Sequence, residues 1–190
     1  MTTRSRWFLA CLALVVALAN AVPSGAEPMR FRVLTEASEL VFHATSRLVN
    51  ADGRFARFTG EAVVDPADLA SAHVSVTIDA ASLDTGIRRR DDHLRSEDFF
   101  HVQRFPTITF ESTRVEGSGR RLVVVGRLTL RGITREVAVP LEVDVSGEKL
   151  EARGRLEINR GDYGIIYDSA LNPIGQRVRI DFTFRAQAVR

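Results

Sequence analysis

Cysteine is almost absent from this chain. The one thiol, Cys11, lies in an apolar N-terminal run, and residues 27–190 carry none. That excludes a disulfide framework, a thiolate metal site and a cysteine nucleophile from that part. Lysine is as scarce: Lys149 stands alone, so the 26 basic residues are nearly all arginine. Against 24 acidic residues they leave a formal charge of +2, too small a field to imply a polyanionic partner. No basic block is interleaved with aromatics, so nucleic acid is excluded as a partner. Tryptophan occurs once, at Trp7. No G-x-S-x-G turn marks a nucleophile. His43, His73, His93 and His101 are dispersed, and no pair has the spacing of a metal site on a helix. Neither a metal nor a cofactor is expected. Linkers, repeats and low-complexity tracts are lacking too, which leaves one domain.

The N-terminus has the layout of an export signal. Arg4 and Arg6 precede the uncharged run Trp7–Leu18, and Ala19-Asn20-Ala21 and Ser24-Gly25-Ala26 both offer small-x-small cleavage sites. The run falls short of the ~20 apolar residues that span a bilayer. Cleavage at Cys11 would leave only Phe8-Leu9-Ala10 of apolar chain before it, which disfavours a lipoprotein. The expectation is a signal peptide over 1–26, a domain over 27–190, and no stable membrane insertion after cleavage.

Most of the remaining chain alternates with a period of two. Val74, Val76 and Ile78 share a face, as do Leu122, Val124, Leu128 and Leu130. Val137 to Val145, Leu150 to Ile158 and Val178 to Phe184 repeat the pattern, with charged residues between. This is the mark of strands with one wet face. Earlier strands are expected over 31–34, 39–46, 53–64 and 107–114. Turns are marked at Asn50–Gly53, Asp65-Pro66, Glu116–Gly119, Arg131-Gly132 and Ser146-Gly147. Gly60, Gly126 and Gly154 interrupt good strands, as bends in a barrel or bulges in a sandwich would. Residues 91–100 lack β-branched side chains, and Asp91 or Asp92 can cap a helix start. One short helix is expected there, stopped by Pro106.

One stretch is distinctive. Residues 90–112 read Arg90-Asp91-Asp92-His93-Leu94-Arg95-Ser96-Glu97-Asp98-Phe99-Phe100, then Phe105-Pro106, then Ile108-Thr109-Phe110-Glu111-Ser112. This resembles the R-D-x-H-L-x-S-x-D-F-F signature of the YceI-like family of bacterial exported proteins. Gly53–Gly60 is similar to that family's G-x-F-x-x-F-x-G strand, and Gly126–Thr134 to its G-x-L-T-[IL]-x-G-[VI]-T hairpin. Tyr163 stands where many members carry Phe. The resemblance runs from about residue 30 to the end of the chain. It implies a lipocalin-like antiparallel eight-stranded β-barrel with one short helix. It also implies a periplasmic home and a polyisoprenoid, isoprenoid quinone or fatty-acid-like molecule in the lumen.

Phenylalanine supplies the candidate lining. Of 11, all but Phe8 follow residue 26. Aromatics usually fill cores, but a closed barrel of eight strands can hold one small ligand instead. With the resemblance, the expected lumen is Phe42, Phe55, Phe58, Val76, Ile78, Phe99, Phe100, Phe110, Leu128, Leu130, Ile165, Phe182 and Phe184. Arg88, Arg90 and His93, beside the helix start, are the candidates for a headgroup. No catalytic residue is expected. The alternatives are a lyase or isomerase using Asp91 with His93, and a stress-related module binding a protein. The partner is expected to be an isoprenoid or other lipid-like small molecule, and a homodimer is compatible with the sequence.

Overall fold

The computed structural model describes residues 27–48 and 50–189; the expected signal peptide lies outside the described residues. Eleven β-segments run in chain order: β1 (Met29–Val33), β2 (Glu39–Ser46), β3 (Ala51–Phe55), β4 (Phe58–Asp65), β5 (Asp68–Asp79), β6 (Leu83–Asp84), β7 (Thr107–Ser118), β8 (Arg121–Leu130), β9 (Ile133–Ser146), β10 (Lys149–Asn159) and β11 (Ile174–Val189). One α-helix, α1 (Arg88–Arg95), lies between β6 and β7.

These segments make eight strand positions in a closed antiparallel barrel. Each strand pairs with its neighbour in sequence, and β1 pairs with the end of β11 to shut the ring. β1 and β2 are one strand broken at residues 34–38. Its first part joins β11 to β4, and its second joins β11 to β3. β3 and β4 are likewise one strand, broken at Ala56-Arg57, and β5 and β6 are broken at 80–82. Closure removes the free edges on which an open sheet aggregates.

The alternation seen in the sequence is the in-and-out alternation of the wall. On β11, Val178, Ile180, Phe182, Phe184 and Ala186 face in, while Arg179 and Arg185 face out and pair with Asp181 and Glu151. One end of the barrel carries the β4–β5, β7–β8 and β9–β10 hairpins; we call it the turn end. The other, the helix end, carries α1, the β2–β3 and β8–β9 hairpins and the long β10–β11 connection. Its tightest turn is Arg131-Gly132, where φ is 53° and 72°. Two positive φ values suit the twist of a two-residue hairpin.

The helix differs from expectation in position. It starts three residues earlier than residue 91 and stops at Arg95, not Phe100. Asp91 is no cap: it is buried in the second half of the first turn. Its Oδ1 accepts from the Thr85 N–H at 2.9 Å and the Thr85 hydroxyl at 2.5 Å. The carboxylate thus ties the helix back to the strand end before it. Residues 96–106 are turns, not helix.

Candidate functional site

The barrel is hollow. Its interior leaves about 270 Å³ open to the centre of a water molecule. Among 39 lining residues only Glu61, Ser75 and Arg160 are polar. On β11 the lining runs from Ile174 to Ala186. Twelve residues at ~3.3 Å each, tilted ~40° to the axis, correspond to a hollow about 30 Å long. It is therefore narrow for its length, a shape that suits a chain.

Why the middle is not plugged follows from three glycines. Phe42 pairs directly with Gly53, and Phe182 with Gly154; Phe110 lies diagonally across from Gly126. A Cβ at Gly53 would stand 2.4 Å from the Phe42 ring. At Gly126 it would be 2.5 Å from Phe110, and at Gly154 2.5 Å from Phe182. Real Cβ contacts do not come that close. Each ring occupies the space above the bare glycine backbone that a side chain would otherwise fill. The rings then pave the wall. Phe182 stacks on Phe184 at 4.9 Å, Phe42 leans on Phe55 at 5.5 Å, and Phe55 meets Phe100 edge-on at 5.8 Å. Such offset and edge contacts are the favoured aromatic geometries.

Phe42, Phe55, Val76, Ile78, Phe99, Phe100, Phe110, Leu128, Leu130, Ile165, Phe182 and Phe184 all line this hollow. Phe58 does not; it is buried behind Phe184, with ring centres 5.5 Å apart. Arg88, Arg90 and His93 lie outside the lining, at the helix end. Arg90 spends its donors on the Thr85 hydroxyl and carbonyl and on the Asn50 carbonyl, which fastens α1 to the β2–β3 hairpin. His93 Nε2 meets Asp98 at 2.9 Å, and its ring sits edge-on to Phe99 and Tyr167. Arg88 is exposed. Asp91 and His93 thus hold separate partners and do not form an acid–base pair with each other.

Arg160 is the polar residue that periodicity missed. It is only 3% exposed and lines the helix end of the hollow. Its guanidinium donates to the carbonyls of Ile165, Tyr167, Ile174 and Gly175 at 2.7–3.1 Å. It thereby cinches the β10–β11 connection, with its charge met at hydrogen-bond distance by carbonyl dipoles. Buried guanidiniums survive only when so satisfied. Asp168 secures the same loop. The backbone N–H groups of Ile174 and Ser169 hold its carboxyl below the usual carboxylate range, and Arg160 adds to this. The one signal in sequence was a lone cation ending an alternating strand.

Comparison with known proteins agrees with this architecture. The model of the YceI-like domain matches residues 31–186. A UPF0312 protein of Pseudomonas aeruginosa is 36% identical over 134 residues, which is 67% of this chain and 69% of its own. One from Vibrio cholerae is 33% identical over 136 residues, 68% of this chain and 72% of its own. Among solved structures, Burkholderia cenocepacia BcnA aligns with a TM-score of 0.76 at 28% identity, covering 82% of this chain and 99% of that one. A polyisoprenoid-binding domain from Saccharophagus degradans shares the fold, with a TM-score of 0.68 at 20% identity over 85% of this chain and 99% of its own. The chain belongs to the YceI-like family.

Proposed function

We propose that this protein is a periplasmic carrier that holds one long-chain apolar amphiphile in the barrel and catalyses no reaction. The ligand class is a polyisoprenoid, an isoprenoid quinone or a fatty-acid-like chain. The observation that carries this reading is a long, narrow, apolar hollow kept open by phenylalanines laid on glycines. The Saccharophagus degradans domain, which binds polyisoprenoid, supports the ligand class.

The energetics fit a chain. Burying ~20 methylene-like groups contributes about 16 kcal/mol at ~0.8 each. Association and ordering cost about 4–15 kcal/mol. The balance depends on how well the chain fills the bore. Apolar contact has no direction, so the lumen selects by length and width more than by functional group.

Native mass spectrometry of protein purified from its host tests this directly. The expected result is a stoichiometric hydrophobic adduct that organic solvent extracts. An empty barrel at every purification overturns the reading. Phe182→Asp should abolish adduct retention, because it sets a carboxylate on the apolar wall. Arg179→Ala, on the outer face, should leave the adduct in place.

A further inference from the structure

We propose that the helix end of the barrel docks on the surface of an anionic lipid bilayer. The purpose of such docking rests on the carrier reading, since a chain exchanged there need not cross water. Docking itself stands on a separate feature of the molecule, the placement of its unpaired cations and exposed aliphatic side chains.

Charge comes first. Fourteen arginines, on the strands, on α1 and in the turns between strands, have a carboxylate within ion-pair distance. Among the described residues, those without one are Arg47, Arg88, Arg89, Arg90, Arg104, Arg131, Arg135 and Arg160. All eight lie at the helix end, in the β2–β3 hairpin, in or beside α1, or around the β8–β9 turn and β10–β11 connection. Arg47, Arg88, Arg89, Arg104 and Arg135 are also exposed. Arg90, Arg131 and Arg160 turn to backbone carbonyls instead. The guanidiniums this end offers to solvent are therefore those of Arg47, Arg88, Arg89, Arg104 and Arg135, against the exposed carboxylates of Glu97, Asp162 and Asp168.

Exposed apolar side chains gather in the same place. Among the described residues, five large hydrophobic side chains are exposed: Leu34, Leu48, Ile87, Ile166 and Leu171. All but Leu34 belong to the helix end, and Leu171 and Ile166 are 85% and 81% exposed. Short bonds tie their segments together. The Leu48 N–H donates to Asn172 Oδ1 at 2.8 Å, and the Arg47 N–H to the Pro173 carbonyl at 3.1 Å. Arg90 joins α1 to the same hairpin at Asn50. Arg47 thus adjoins Leu48, and Arg88-Arg89 adjoin Ile87. Exposed aliphatic side chains flanked by cations form the pattern of an interfacial anchor. Leu94 of α1 and Ile165 of the β10–β11 connection also line the hollow, so these segments adjoin its helix end.

Sedimentation of full-length protein with vesicles tests the proposal. Vesicles of phosphatidylglycerol with phosphatidylethanolamine should bind it, phosphatidylcholine alone much less, and added salt should release it. Every variant keeps the same N-terminus, so differences report the barrel. Arg88→Gln with Arg89→Gln should weaken binding about 25-fold, at about fivefold per charge near the surface. Arg120→Gln with Arg121→Gln makes the same charge change at the turn end and should shift binding less than twofold. Leu48→Ser with Leu171→Ser should weaken binding at least tenfold without lowering the unfolding temperature. Absence of vesicle binding, or equal loss from both arginine pairs, overturns the proposal. So does a leucine pair without effect, which would fit a soluble acidic partner instead. The two readings fail separately. Protein that carries an adduct yet ignores vesicles refutes docking alone; protein that binds vesicles yet is always empty refutes the carrier alone.

Discussion

Tyr163 carries the one buried side-chain polar atom without a partner among the described residues. The residue is 2% exposed, and burial pushes its hydroxyl's pKa up from the ordinary value. The hydroxyl has left water and gained no hydrogen bond, which costs about 1–3 kcal/mol. Tyr163→Phe should therefore be neutral or raise stability by up to about 1 kcal/mol, read from thermal unfolding. A loss of more than ~1 kcal/mol would show that an ordered water answers the hydroxyl. Arg160, three residues earlier, is the opposite case, with four carbonyls around its guanidinium. Truncating it would orphan them together, so the two neighbours should respond in opposite directions.

At the scale of elements, three adjacent strands break at one level, and the break has its own bonds. The Arg57 N–H donates to Ser82 Oγ at 3.0 Å, the Ala56 N–H to the Ser82 carbonyl at 3.2 Å, and the Ser82 hydroxyl to the Asp79 carbonyl at 2.7 Å. Ser82→Ala should cost about 1 kcal/mol by removing the part-buried bond to the Arg57 N–H, lowering the unfolding temperature by roughly 2–4 °C. The long β-connection at the helix end answers to pH. The Asp168 pKa lies below its ordinary 3.8 in the folded protein. Its stabilisation of the loop is therefore complete above that value and lost as pH falls through the lowered one. Hydrogen exchange of residues 165–174, corrected for intrinsic rates, should stay flat from pH 7 to 4 and rise below. Asp168→Asn should raise it already at pH 7. Much of the wall was legible in sequence because a period of two survives wherever one face is wet. The breaks were not: Ala56-Arg57 carries no turn residue, and Ser82 of another strand imposes its conformation. Helix α1 starts three residues before the position that a capping Asp91 implies. Its actual partner, Thr85, lies before the helix, and short capping patterns do not say which way a carboxylate turns.

For the whole molecule the governing quantity is the bore. The closed ring fixes its outer width, and the glycine–phenylalanine pairs decide how much of that width stays empty. This division was half visible in sequence. The glycines stood out as interruptions, and the phenylalanines as a set, but only register shows that each ring lies on a glycine. Phe58 illustrates the limit, since its spacing matched the lining and its position behind Phe184 did not. Gly53 is the site at which to change the bore. A Cβ there meets only side chains, the Phe42 ring at 2.4 Å and Thr85 Cγ2 at 2.8 Å, whereas Gly126 and Gly154 also press on backbone carbonyls. Gly53→Ala should lift the Phe42 ring off the wall into the hollow, at an overpacking cost of about 1–3 kcal/mol. Adduct retention should fall more than stability does, because the displaced ring occupies the ligand's path. Pairing it with Phe42→Leu removes the ring and should restore adduct, so the two changes combine non-additively in a double-mutant cycle. Native mass spectrometry and thermal unfolding on the four proteins decide it. If Gly53→Ala keeps a full adduct, the rings do not set the bore, and the hollow's width must come from the sheet's curvature alone.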